Sequence, residues 1–199
     1  YYLDLAWNIG KEDKEESLDS VVWTTEWLLD QFDVPYDFAN VLACKLTEFD
    51  QIVNVRKIDL LDSDVFSQTA YGNEAADRIN RLREIFDVVN SSMECLSEKE
   101  KDSFFELVGL KVHAAYLSNL MYYYADRSAN VAKRGKSALA LEYVKKTRET
   151  EDNRRRLIEY YNHVMADGKW DGMVTPEDFP PPRTAMYPAC VPPLKKEDE

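Results

Sequence analysis

The sequence predicts an all-α protein: an antiparallel bundle of four to five long helices followed by a Pro-rich irregular C-terminal strap. Seven of the eight prolines fall within Pro176–Pro193, so Pro35 stands alone in the first 175 residues, and the 199 positions hold only 6 glycines. In a helix interior proline costs roughly 3 kcal/mol and glycine roughly 1 kcal/mol, so most of the chain is free of the strongest breakers. Through that stretch apolar residues recur at about 3.6-residue spacing, the period of one helix face. Long helices with short connections pack beside their sequence neighbours in opposite directions. No internal repeat of about 20–50 residues occurs, so a solenoid is not expected.

The elements follow in order. Val21–Phe32 carries Val22, Trp23, Glu26, Trp27 and Asp30, with the two tryptophans four apart on one face. Asp33-Val34-Pro35 breaks it. Asp37 is expected to cap the next helix, Phe38–Ile58, whose Val41, Leu42, Leu46, Phe49, Ile52 and Val53 keep helical spacing. Leu60–Thr69 reads as a loop, and Asn73–Met93 resumes the pattern with Ile79, Leu82, Ile85, Phe86 and Val89. Ser97-Glu98-Lys99-Glu100 is a capping box, in which hydroxyl and carboxylate satisfy each other's backbone donors. It opens Lys101–Arg134, apolar around much of its circumference and therefore placed centrally. Gly135 ends that helix, and Lys136–Met165 is the last. Residues 1–165 form the bundle, and 166–199 form the strap, with apolar anchors Trp170, Met173, Phe179, Met186 and Tyr187.

Composition narrows the function. At this length about 70% of the unfolded chain's surface can be buried, so a core needs no staples. Cys44, Cys95 and Cys190 include no close pair, which excludes a disulfide scaffold and a cysteine zinc cluster. The net charge of −12 argues against nucleic acid and anionic membranes as partners. The charge is uneven: residues 1–64 hold 15 acids and 5 bases, whereas Arg127–Arg156 holds ten bases and four acids. The opening Tyr1-Tyr2-Leu3-Asp4-Leu5-Ala6-Trp7 is apolar and has no signal-peptide pattern, so the chain is expected to be a piece of a larger protein. Export of that parent or its retention in the cytoplasm stays open.

Candidate sites are few. In Arg127–Arg156, Glu142→Lys146, Glu151→Arg155 and Asp152→Arg156 are spaced i,i+4 in the favourable order, the mark of a solvated, salt-bridged face. Lys145–Arg156 contains no apolar residue, so this part is expected to project from the bundle or to meet a polar partner. Successive residues of Tyr122-Tyr123-Tyr124 point about 100° apart, so two rings line the core and one faces out, with Tyr123 as a candidate sugar contact. His113 and His163 lack a second ligand or catalytic partner at a useful spacing. No phosphate loop, nucleophile elbow or metal signature is present, so no catalytic residue, cofactor or metal is assigned. In Gly168-Lys169-Trp170-Asp171-Gly172-Met173 the glycines permit turns around a Lys-Trp pair, making Lys169 and Trp170 candidates for the rim of a cleft.

These segments together resemble the region after the catalytic barrel in α-glucuronidases of glycoside hydrolase family 115. The resemblance begins at Tyr1-Tyr2-Leu3-Asp4-Leu5-Ala6-Trp7-Asn8 and continues through Trp27 and Asn54-Val55-Arg56-Lys57. It strengthens at Phe104-Phe105-Glu106-Leu107-Val108, Asn119, Tyr122-Tyr123-Tyr124-Ala125, Asn130 and Gly135, and closes with Tyr160-Tyr161-Asn162 and Gly168-Lys169-Trp170. After Trp170 the family's Met-Met and His-containing stretch is replaced by Met173-Val174-Thr175-Pro176. The resemblance implies an accessory helical domain of a modular enzyme that removes glucuronic acid, or its 4-O-methyl form, from xylan side chains without a cofactor. The implied partners are a preceding catalytic barrel in the same chain, glucuronoxylan reached through the parent enzyme, and a second subunit in a homodimer. The catalytic carboxylates belong to the barrel, so this segment alone is expected to be inactive. A free-standing carbohydrate- or protein-binding helical module is the alternative.

Overall fold

Asp19 accepts a hydrogen bond from the Val21 N–H at 2.7 Å and so caps the first helix, α1, Ser20–Gln31. In the computed structural model, which describes Leu3, residues 19–62 and residues 65–174, the chain is all-helical, with no strand among the described residues. α2 spans Tyr36–Val55 and α3 spans Glu74–Cys95. α4, Glu98–Phe104, runs through a π turn, Phe105–Gly109, directly into α5, Leu110–Ala132. α6, Ser137–Glu159, likewise ends in a π turn, Tyr160–Val164. The chain then tightens into a 3₁₀ turn, Met165–Gly168. The last 25 residues, which carry Phe179, Met186, Tyr187 and the Pro-rich part of the strap, lie outside the described residues.

The caps explain most of the boundaries. The Ser97–Glu100 box forms as expected, with the Ser97 N–H donating to Glu100 Oε2 at 3.1 Å. Gly135 stops α5 at a φ of 71°, where its N–H donates to the Ala132 carbonyl and that of Lys136 to Val131, a Schellman ending. Asp37 is not a cap. Pro35 takes that position with φ −65° and ψ 150°, so the helix starts at Tyr36 and Asp37 sits in the first turn, where the helix dipole still favours a carboxylate. α2 stops at Val55 rather than Ile58 because Arg56 turns extended and donates from Nε to the Leu60 carbonyl at 2.7 Å.

Contacts between helices run in opposite numerical order. Lys45, Glu48 and Ile52 of α2 meet Glu84, Arg81 and Arg78 of α3. Arg78, Arg83 and Phe86 of α3 meet Asn119, Tyr116 and His113 of α5. α5 and α6 touch at Tyr124–Tyr143, with ring centroids 6.0 Å apart, and again through the preceding π turn at Phe105–Tyr160, 5.0 Å apart. α5 is central, as its apolar circumference predicts: every residue from Ala114 to Tyr122 is buried.

α6 departs from expectation. The polar stretch Lys145–Arg156 does not project as a wholly solvated face: Thr147, Thr150, Glu151 and Arg154 are buried within it. The hydroxyls donate to the carbonyls one turn back, Thr147 to Tyr143 and Thr150 to Lys146, so neither is left unpaired. Arg154 pairs with Glu151 through two nitrogens, at 2.8 and 3.1 Å. Of the expected pairs, Glu142–Lys146 at 3.3 Å is solvated and contributes about 0–1 kcal/mol, whereas Arg155 reaches the buried Glu151 at 3.0 Å.

Two outcomes test this packing. A Cβ at Gly109 would stand 2.9 Å from Cδ2 of the buried Phe105 ring, so Gly109→Ala is expected to lower unfolding stability by about 1–3 kcal/mol. Alanine's better helix propensity does not offset that, and urea denaturation measures the difference. Glu151→Ala takes away the carboxylate that the buried Arg154 holds at 2.8 Å and Arg155 at 3.0 Å, and is expected to cost about 3 kcal/mol in the same assay.

Candidate functional site

The end of α6 is a folded corner. Past the π turn, Ala166 and Asp167 hold φ values of 49° and 55°, followed by Gly168 at 75°. Two consecutive non-glycine residues in the left-handed region store strain of about 1–3 kcal/mol each, so their surroundings must impose it. Met165 is 1% exposed and anchors the turn in the core. The Ala166 N–H donates to Asp102 Oδ2 of α4 at 2.9 Å. Asn162 clamps the chain beyond the turn: its amide donates to the Val174 carbonyl at 2.6 Å and its Oδ1 accepts the Val174 N–H at 3.3 Å. Gly168 disfavours a side chain, because its φ of 75° is left-handed and a Cβ there would stand 3.3 Å from the His163 carbonyl oxygen.

This turn sets Lys169 and Trp170 side by side. The Trp170 ring stacks on Tyr161 with centroids 6.4 Å apart and 16° between planes, and Lys169 Nζ lies 4.5 Å from the Trp170 centroid. Lys169 is exposed and Trp170 half-buried. His163 braces the turn from outside, with Nδ1 2.7 Å from Glu159 Oε2 and Nε2 3.0 Å from Asp171 Oδ1. The Glu159 carboxylate, helped by Asp171, raises its pKa.

Tyr123 lies elsewhere. It is about 18 residues along α5 from the Phe105 turn, roughly 27 Å at 1.5 Å per residue. The expected outward ring of the tyrosine triplet is not found: Tyr122 is buried, and Tyr123 and Tyr124 are both half-buried. The Tyr123 carbonyl accepts from Gln68 Nε2 at 3.2 Å, and the cavity its side chain borders measures about 20 Å³. That is room for about one water molecule, far below a sugar ring. Beside it sits Arg78, a buried cation that the sequence did not mark out. Its guanidinium donates to Asn119 Oδ1 at 2.8 Å and to the Ile52 carbonyl at 2.7 Å, and lies 4.2 Å from the Phe66 ring centroid. Burial pushes its pKa down to about 10. It closes the C-terminal end of α2 and joins three helices, a structural role.

A second concavity is larger. A groove of about 630 Å³ runs between α1, α2 and the Phe105–Gly109 turn. Trp23 and Trp27 line its α1 side, and Thr47, Asp50, Gln51 and Asn54 line its α2 side. Leu107 and Lys111 complete the third wall. Partial burial in the groove raises the Asp50 pKa, against the pull of the Lys111 ammonium. The tryptophan pair was legible as two aromatics on one helix face. The opposing stripe was not, because Thr47, Gln51 and Asn54 read singly as ordinary surface residues. Among the described residues there is no cluster of three potential metal ligands, and no helix long and apolar enough to cross a membrane.

No family model matches the chain, and no curated protein matches it in sequence.

The chain's two histidines titrate in opposite senses. His113 lies between the Phe86 and Phe105 rings, and burial pushes its pKa down to about 4. Its contribution is full above pH 6.5 and falls between pH 6.5 and about 4, where only the unfolded chain takes the proton. His163, raised above 6.5, contributes fully below pH 6.5 and loses that contribution as pH rises through its folded value. An NMR titration is expected to show one imidazole still neutral at pH 5 and the other protonated above pH 6.5, with His163→Gln removing only the second.

Proposed function

We propose that the chain is an accessory helical domain of a modular α-glucuronidase that removes (4-O-methyl-)glucuronic acid from xylan side chains. In this reading the helices form an antiparallel bundle that buttresses a catalytic barrel preceding it in the same chain. The strap, residues 166–199, then reaches toward the active site of that barrel or toward a second subunit.

The strained turn Ala166–Gly168 is the observation that carries the reading. It gathers into one corner segments that the sequence resemblance drew from far apart: Phe104–Val108, Tyr160–Asn162 and Gly168–Trp170. Strain held by buried anchors in this way belongs to places where a side chain must be presented in a set position. Here the presented pair is a cation beside an indole. Such a pair suits a uronic acid, whose carboxylate takes the ammonium that the indole, itself stacked on Tyr161, holds over its ring.

The residues encoded immediately before Tyr1 decide between this reading and its alternative. A βα-repeat domain there supports it, and its absence overturns it. In the longer protein, Lys169→Ala is expected to reduce kcat/KM for glucuronate release about tenfold, mainly through KM, without change in thermal stability. The 199-residue chain alone is expected to release none; measurable release by it would make the segment itself an enzyme. The alternative, a free-standing carbohydrate- or protein-binding helical module, is favoured by the tryptophan-lined groove.

A further inference from the structure

We infer that the groove between α1, α2 and the Phe105–Gly109 turn is a saccharide-binding cleft that holds pyranose rings between the Trp23/Trp27 pair and the amide-hydroxyl stripe of α2. Both long walls mix apolar and polar groups: Ser20 and Thr24 accompany the tryptophans on α1, and Leu46 and Phe49 lie beside the polar stripe on α2. Trp23 and Trp27 are one helical turn apart, so their indoles are neighbours on one face of α1. Across from them Thr47, Gln51 and Asn54 stand at i, i+4 and i+7, again a single face, on α2. Gln51 and Asn54 are exposed and Thr47 is half-buried; Trp23 and Trp27 are half-buried and border the groove, Trp27 while also meeting Phe32 edge-on at 6.2 Å.

A pyranose has apolar C–H faces and a rim of hydroxyls that both donate and accept. Tryptophan suits the faces, and amides and hydroxyls, which themselves donate and accept, suit the rim. A volume of about 630 Å³ falls within the usual range of small-ligand clefts. An apolar helix laid in the same groove would bury Thr47, Gln51 and Asn54 without partners, a cost of about 1–3 kcal/mol each. A nucleic acid would find Lys111 as the one cation among the described wall residues, beside Asp50, in a chain of net charge −12. The chemistry of the groove is independent of the reading above; only the choice of xylan as the sugar rests on it.

The test titrates the full 199-residue chain with xylohexaose, its glucuronyl-substituted form and cellohexaose, read by tryptophan fluorescence and by NMR shift mapping. Millimolar or tighter binding is expected, with shifts centred on α1 and α2. Because Trp27 also packs on the core and its loss can unsettle the fold, the decisive variants are Gln51→Ala and Asn54→Ala, both at exposed positions. Each is expected to weaken binding about tenfold with unchanged melting temperature. Binding of cellohexaose but not of either xylo-oligosaccharide would uphold the cleft and count against the xylan reading. No shift with any of the three sugars, or shifts centred away from α1 and α2, would overturn the cleft and leave the domain reading to the residues before Tyr1. Self-association abolished by Leu107→Ser, without sugar binding, would assign the groove to a second copy of the chain and overturn the inference as well.

Discussion

The complete burial of the middle of α5 is the constraint on which the remaining packing depends. A helix with every residue from Ala114 to Tyr122 out of water must find neighbours on all sides and an internal partner for most polar groups it carries. Asn119 donates to the Ala115 carbonyl one turn back and accepts from Arg78, which fixes α3 against α5. The Tyr116 hydroxyl accepts from Arg83, a turn and a half beyond Arg78 on α3. Ala114, Ala115 and Ser118 are small enough to admit side chains from a facing helix. The Tyr124–Tyr143 and Phe105–Tyr160 contacts bracket the region where the middles of α5 and α6 face each other. The buried Thr147, Thr150 and Arg154 of α6 each have a hydrogen-bond partner within α6 itself.

The two π turns set the geometry of both candidate sites. Phe105–Gly109 shifts the phase between α4 and α5, so that Phe104 and Phe105 are both buried while Leu107 faces the groove. The ring of Phe105 fits only because Gly109 has no side chain. Tyr160–Val164 meets the first turn through Tyr160 and delivers the chain into the left-handed residues that carry Lys169 and Trp170. One bulge therefore adjoins the groove and the corner at once. Extra-residue turns in helices recur at functional sites because they re-aim side chains without ending the helix.

How far the sequence could be read varied with the range of the interaction. The capping box at Ser97, the glycine stop at Gly135 and the turn around Gly168 were legible because each is a matter of a few adjacent residues. The tryptophan pair was legible from periodicity. Asp37 misled because a carboxylate in a first turn and a carboxylate at a cap look alike until the backbone of Pro35 is known. The surroundings of Tyr123 were not legible because the space beside a helical ring depends on the segment next to it, here Gln68 and Phe66. The basic stretch misled because charge pairing within α6 serves equally well in water and in an interface.

By itself the sequence determined the helical class, the order and approximate ends of the helices, and which of them is central. Those are set by local propensity, capping and the apolar period, all carried by neighbouring residues. The tertiary structure alone decided that Arg78 closes α2 against two other helices, that Arg154 is buried with Glu151, and that a tryptophan face and an amide stripe oppose each other across a groove. Each of those depends on the register between segments far apart in the chain. Burial of polar groups is settled only when that register brings a partner within hydrogen-bond reach.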